Sequence, residues 1–229
     1  MKSTIELLKC PKCEKEFEFN VWDTINVTVN PEDKKKLLNN EFFMAVCPDC
    51  NDRHDVIYPC LYHDMNNSLM FWFIPNGKKS DIAMINESLE NIENTSQKTR
   101  IGEFYDDLKY DNLRCVFNLF DLKEKIYIND QNLDDRIIEI MKTLILASMI
   151  NEKIENVDFS TTILFSSLSN ENGQEMIVFT RKSGEEFISF SVERSIYDSI
   201  IINYADIIPK KQKQYMLIDR QWALNILSK

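Results

Sequence analysis

Two short cysteine motifs carry the clearest chemistry in this 229-residue chain: Cys10-Pro11-Lys12-Cys13, the first knuckle, and Cys47-Pro48-Asp49-Cys50, the second knuckle. A Cys-x-x-Cys turn presents two thiolates to one metal ion, and two such turns complete the tetrahedral shell of a structural zinc site. The proline in each knuckle fixes the turn and sacrifices only its own amide hydrogen. The spacing therefore predicts one structural zinc ion with four ligands, Cys10, Cys13, Cys47 and Cys50.

A shell of four thiolates leaves no coordination position for water, so this zinc ion is expected to stabilise the fold and not to catalyse a reaction. Basic residues flank the knuckles and can offset the negative charge of the centre; they are Lys9, Lys12, Lys15 and Arg53. The alternative interpretation is redox chemistry, because a Cys-Pro-x-Cys turn can also lower a thiol pKa and cycle through a disulfide. Two such motifs, each at the end of a predicted strand, favour a shared ion.

Other residues that could do chemistry have simpler explanations. His54, Cys60 and His63 suggest a second metal site, but their scattered spacing is a poor metal signature. Cys60 and Cys115 show no pairing logic of their own. Acidic residues at the start of a predicted helix favour the helix dipole and need no catalytic role; these are Asp134, Asp135 and Glu139. Aromatic groups at residues 17–22 and 71–73 lack interleaved basic residues and indicate core packing.

The first half of the chain predicts a β unit around the two knuckles. Residues 16–29 alternate apolar and polar side chains, which is typical of a half-buried strand. Asn30-Pro31-Glu32-Asp33 then predicts the start of a short helix that runs to about Asn39. Further strands are predicted at residues 42–46 and 55–58 on either side of the second knuckle, and at 68–74 as the last strand of this unit. A helix is predicted over residues 81–94.

The second half predicts helices packed on an antiparallel sheet. A strand at 113–118 and a short helix at 119–125 precede a long amphipathic helix, for which Asn132 is the expected N-cap. Three β-type runs at residues 159–168, 175–180 and 186–192 then predict a meander, because turn residues separate them. A helix at 195–207 ends before Pro209, and residues 215–227 close the unit as a strand or helix.

These elements predict an α+β protein with two domains. The first is a zinc-ribbon β domain with a short inserted helix over residues 1–94, and the second is a domain of helices packed on an antiparallel sheet over residues 100–229. The polar run at residues 94–98 is the expected linker.

Composition narrows the function classes. The net charge of −10 disfavours nucleic acid as a partner, since phosphate backbones repel an acidic surface. No apolar run approaches the roughly 20 residues of a membrane-spanning helix, and the first 20 residues lack the apolar core of a secretory signal. These observations predict a cytoplasmic protein with reduced thiols. No Gly-rich phosphate loop, HExxH motif or Ser-His-Asp constellation is present.

The paired knuckles, with a strand, a helix starting at Asn30-Pro31-Glu32 and a second strand between them, resemble the CpXC domain proteins of bacteria and archaea. The stretches Leu122-Lys123-Glu124-Lys125-Ile126 and 133–142 also resemble that family. The resemblance implies the four cysteine ligands, and it carries no settled activity. This sequence departs from the common zinc-ribbon pattern because Glu14 and Asn51, not glycine, follow the second cysteines. Glutamate tolerates a left-handed backbone poorly, which predicts a distorted first knuckle.

We therefore expect a zinc-stabilised scaffold or protein-interaction module, with a protein partner or self-association. A zinc ribbon associated with nucleic acid is the second hypothesis, and an enzyme with an unrecognised pocket is the third.

Overall fold

The computed structural model of the chain describes residues 3–94, 112–208 and 214–229. The chain divides into two compact units: Met1–Lys123 with Lys211–Leu217, and Glu124–Lys210 with Ile218–Lys229. Helices and strands occur in both units, which confirms the predicted α+β class. The linker predicted at residues 94–98 falls almost entirely outside the described residues, so the boundary between residues 94 and 100 stays a prediction. Within the described ranges, no helix has the length and apolar content needed to cross a membrane.

In the part that the structure describes, the first unit contains three small sheets and two α-helices that lie entirely within it. In chain order, its elements are β1 (Ser3–Lys9), β2 (Glu16–Trp22), β3 (Thr24–Asn26), α1 (Glu32–Leu38), β4 (Met44–Val46), β5 (Arg53–Asp55), β6 (Cys60–Asp64), β7 (Leu69–Phe73), α2 (Lys79–Asn94) and β8 (Asn112–Val116).

Two antiparallel hairpins, β1–β2 and β4–β5, carry the knuckles at their turns. The strand predicted over residues 16–29 is divided in two, because β2 pairs with β1 whereas β3 pairs with β6. The strand expected at 55–58 is also shorter and earlier, since β5 ends at Asp55. The short helix is confirmed, although Pro31 and not Asn30 occupies its N-cap position.

The third sheet of the first unit has the order β3-β6-β7-β8. Strands β7 and β8 run parallel, with α2 in the connection between them. The apolar side of α2, with Ile82, Ile85 and Leu89, packs on a buried group that includes Met70 and Cys115. The strand predicted at 113–118 therefore lies beside β7 in the sheet of the first unit, because its apolar residues complete this core.

The second unit is built on an antiparallel meander, as the sequence predicts. Its elements are α3 (Leu119–Asp130, which begins in the first unit), α4 (Asp135–Asn151), β9 (Ile163–Glu171), β10 (Gln174–Ser183), β11 (Glu186–Glu193), α5 (Arg194–Asn203) and α6 (Arg220–Leu227). The sheet order is β11-β10-β9, and Asn172-Gly173 forms the first turn with φ of 54° and 85°. Positive φ at both positions is what a two-residue hairpin turn requires.

The apolar stripe of α4 packs on one face of this sheet. Ile137, Ile140 and Met141 are buried in one core with Phe165 of β9 and Phe179 of β10. Burial of large apolar side chains of this kind contributes about 1.5–3 kcal/mol each, so this core is the main source of stability in the second unit.

The sequence predicted Asn132 as the N-cap of α4, and this prediction is wrong. Asn132 instead ends α3. Its φ of 55° is left-handed, its N–H donates to Asn129 O at 2.8 Å, and Leu133 N donates to Ile128 O at 3.1 Å. This pair of hydrogen bonds is the Schellman arrangement that closes helices. The side chain of Asp134 caps α4 instead, by accepting from Arg136 N. Asparagine suits both roles, so its identity alone could not decide between them.

Buried ion pairs join α3 to α4. Lys142 Nζ lies 3.0 Å from Glu124 and 2.8 Å from Glu139, and all three side chains are at least 88% buried. Glu124 also accepts a hydrogen bond from Phe165 N at 2.6 Å. Burial raises the pKa of Glu124 despite Lys142. Burial alone would lower the pKa of Lys142, but the two carboxylates outweigh it and raise this pKa.

Replacing Lys142 tests this network, because two buried carboxylates then lose the ammonium with which both of them pair. We expect Lys142→Met to lower the free energy of unfolding by about 3–5 kcal/mol, measured by urea denaturation. The loss should be smaller at about pH 5 than at about pH 8, since a carboxyl group with a raised folded-state pKa stabilises the fold only while it is protonated. Lys182→Met, at an exposed position on β10, is the matched control and should change little. An equal effect of both variants would contradict the network's role.

Candidate metal centre

The two knuckles are closed by the same backbone hydrogen bonds. In the first, Cys10 N donates to Lys15 O at 2.9 Å and Glu14 N donates to Cys10 O at 3.0 Å. In the second, Cys47 N donates to Asp52 O and Asn51 N donates to Cys47 O, both at 2.9 Å. The β1–β2 and β4–β5 hairpins thus hold their cysteines in matching turns.

Each turn needs a left-handed residue directly after its second cysteine. The φ of Glu14 is 62° and that of Asn51 is 56°. The distortion predicted for the first knuckle is absent, since its hydrogen bonds match those of the second within 0.1 Å. Glu14 instead adopts a backbone conformation that glutamate disfavours.

The four cysteine sulfurs meet at one point. Sγ of Cys10 lies 3.6 Å from Sγ of Cys50, and Sγ of Cys13 lies 3.6 Å from Sγ of Cys47. All four sulfurs are within 4.8 Å of one another. Sulfurs at about 2.3 Å from an ion at the centre of a tetrahedron are about 3.8 Å apart, whereas a disulfide requires about 2.05 Å. The geometry therefore fits four free thiols that can hold one metal ion.

The protein covers one side of this sulfur group. Cys10 is 1% exposed and Cys47 is fully buried, whereas Cys13 and Cys50 are half-buried. Phe17 of β2 and Ala45 of β4 pack on the buried pair, and the Phe17 ring contacts the His54 ring edge-on at 6.0 Å. Apolar cover of this kind excludes water and strengthens the attraction between thiolates and a cation.

The four thiols compete for negative charge. Burial acts to raise the pKa of Cys10, but hydrogen bonds from the backbone of Cys13 and Lys12 outweigh it and lower this pKa to about 7. A backbone hydrogen bond from Asp52 acts to lower the pKa of Cys50, but burial and the neighbouring sulfurs raise it to about 12. Four adjacent thiolates repel one another, and a central cation reverses that repulsion.

A family model described as CpXC protein matches residues 8–142, which is more than half of the chain. The chain belongs to the CpXC family. This finding confirms the resemblance that the knuckles indicate. No curated protein matches the chain, and no solved structure does.

The CpXC match covers both knuckles, the first unit from residue 8 to Lys123, and the part of the second unit up to Lys142. It therefore includes the two stretches, 122–126 and 133–142, whose resemblance to the family is weaker in sequence. Their charged residues are the partners in the α3–α4 network: Glu124 with Lys142, and Lys125 with Asp135 at 3.1 Å. The two stretches that resemble the CpXC family thus contain the residues that form these ion pairs.

The remaining histidines and cysteines lie apart from this centre. Among the described residues, only the four knuckle cysteines form a group of potential metal ligands. His54 lies on β5, whereas Cys60 and His63 lie on β6 with side chains on opposite faces, as residues three apart in a strand must. Burial raises the pKa of both Cys60 and Cys115 to about 12, which makes these thiols inert.

The sequence did not reveal one feature of the centre, an ion pair between the knuckles. Lys15 Nζ lies 2.6 Å from Asp49, and this hydrogen bond raises the pKa of Lys15. Lys15 follows the first knuckle and Asp49 lies inside the second. Their opposite charges are the one feature of the sequence that could have indicated this pair. Both side chains are exposed, so the pair orients the knuckles more than it stabilises them.

Relief of the strain at Glu14 is testable. We expect Glu14→Gly to raise the thermal midpoint by about 2 °C, because glycine adopts positive φ without steric cost but loses more entropy on folding. Asn51→Gly should give a smaller change, since asparagine already tolerates this conformation. Differential scanning calorimetry measures both midpoints. A midpoint for Glu14→Gly at or below that of the unchanged chain would contradict the assignment of strain to Glu14.

Proposed function

We propose that the four cysteines of this CpXC protein bind one zinc ion, and that this closed centre stabilises a scaffold that associates with protein chains. The meeting of four sulfurs within 4.8 Å of one another carries the proposal. Four free cysteines in such an arrangement are a complete ligand set for one metal ion.

Zinc is the ion that this donor set favours. Thiolates select soft or borderline metals, and a single ion in a tetrahedron of four sulfurs is the usual structural zinc site. The Cys-x-x-Cys spacing of both knuckles is typical of such sites. All four positions of the shell are filled by protein, so the ion has no open position at which to activate water.

The size of the hairpins supports a structural role for the ion. A two-stranded hairpin is marginally stable in water, and the core between β1–β2 and β4–β5 is small. The ion would join cysteines that are 34 and 40 positions apart in sequence. Binding of the metal then contributes directly to folding of this part of the first unit.

Exposed apolar residues on β1 support association with another chain. Ile5 is 64% exposed and Leu7 is 70% exposed, and both lie on the same face of the strand. Among the described strands, β1 pairs only with β2, so its other edge is open for pairing. The net charge of −10 counts against nucleic acid as the alternative partner.

Metal content of the purified chain tests the centre. We expect about one zinc per chain by plasma mass spectrometry, loss of zinc in Cys47→Ser, and a lower thermal midpoint in that variant. Cys60→Ala is the matched control, because it removes a buried thiol outside the knuckles and should keep the zinc. A chain without zinc whose knuckle cysteines readily form disulfides would contradict the proposal and indicate redox chemistry.

Sedimentation velocity tests the association. We expect the unchanged chain to self-associate reversibly as its concentration rises, and Leu7→Glu to remain monomeric because a charge disrupts the apolar face. Thr4→Glu places the same charge on the opposite face of β1 and should preserve the association. Monomers at every concentration of the unchanged chain would exclude self-association through β1.

A further inference from the structure

The first unit contains a pocket of about 420 Å³ that is separate from the cysteine centre. It lies where the parallel strands β7 and β8 end and α3 begins, with Phe73, Phe117 and Leu119 in its wall. Crevices at the carboxyl ends of parallel strands are common ligand sites, and the volume suits a small molecule. Every lining residue belongs to the first unit.

The wall of the pocket is mostly apolar and partly aromatic. Two apolar side chains of the wall are exposed: Phe120 of α3 by 76% and Ile57 by 44%. Apolar side chains left in water at the edge of a concave site gain stability when a ligand covers them. The body of a ligand for this pocket is therefore apolar or aromatic.

Lys123 supplies the main polar feature of the pocket. Its Nζ donates to Leu38 O at 2.8 Å and to Oδ1 of Asn40. An ammonium has three donors, so one donor is left for a ligand. Burial lowers the pKa of Lys123, and the charge of Asp55 acts against that change.

The charge of Lys123 is incompletely neutralised. Both of its acceptors are uncharged, and among the described residues no carboxylate lies within 4.0 Å of its Nζ. Asp55 lines the same pocket but does not reach that distance. A partly buried ammonium is stabilised by a carboxylate, which pairs with its charge and accepts its hydrogen bond.

We propose that this pocket binds a small molecule that carries a carboxylate on an apolar or aromatic body. The carboxylate pairs with the Nζ of Lys123, and the body packs against Phe117 and Phe120. Asp55 repels the carboxylate and limits the affinity. The pocket requires no metal, so this proposal can be tested independently of the proposed zinc site.

Three probes of the same shape test the proposal: phenylacetate, 2-phenylethanol and 2-phenylethylamine, titrated into the ¹⁵N-labelled full chain. Amide chemical-shift changes should show that phenylacetate binds at the pocket and more tightly than the alcohol or the amine. Lys123→Met should weaken phenylacetate binding at least about tenfold, the usual effect of losing a charged hydrogen bond. Asp55→Asn should strengthen it, because the repulsion is removed.

Two further variants keep the test decisive. Phe120→Ala changes a side chain that is 76% exposed and should weaken phenylacetate binding, even if Lys123→Met does not fold. Lys182→Met removes an exposed ammonium in the second unit and should leave binding unchanged. Absence of phenylacetate binding, equal binding of 2-phenylethanol, or full affinity in a folded Lys123→Met chain would each overturn the proposal.

Discussion

The first unit is organised around four sulfurs that must meet although the sequence separates them into two distant pairs. The local part of this problem is solved by the backbone, because each knuckle closes through two hydrogen bonds of its own. The non-local part is the approach of two hairpins, with β3, α1 and a short helical turn in the chain between them. A shared cation would offset the mutual repulsion of the thiolates at that meeting point, where only a small apolar core lies between the hairpins.

Local patterns in the sequence predicted much of this structure. The cysteine spacing identified the residues that meet, since a Cys-x-x-Cys turn is set by neighbouring backbone groups. The three strands of the meander were also predicted, because turn residues separate runs of β-type side chains. Each of these signals depends on interactions within about ten positions.

Features that depend on distant partners could not be predicted in the same way. The place of β8 beside β7 follows from its packing in the core of the first unit, which no local pattern encodes. Asn132 was assigned to the wrong helix because asparagine favours both N-caps and left-handed closures. The burial of Leu133, which is 4% exposed, favours the closure of α3. The pocket at Lys123 combines residues from four separate segments, and each of them alone has an ordinary explanation.

The matched region of the CpXC family model ends at a residue that is not the end of a folding unit. Lys142 lies in the middle of α4, so the matched region contains the apolar residues Ile137, Ile140 and Met141 but not the strands that bury them. A fragment ending at Lys142 would contain only the first half of α4 and would expose these apolar residues to water. The limit of similarity is thus not a limit of autonomous folding. Any relative that shares only the matched region must shield the same helix with a different C-terminal sequence or with another chain.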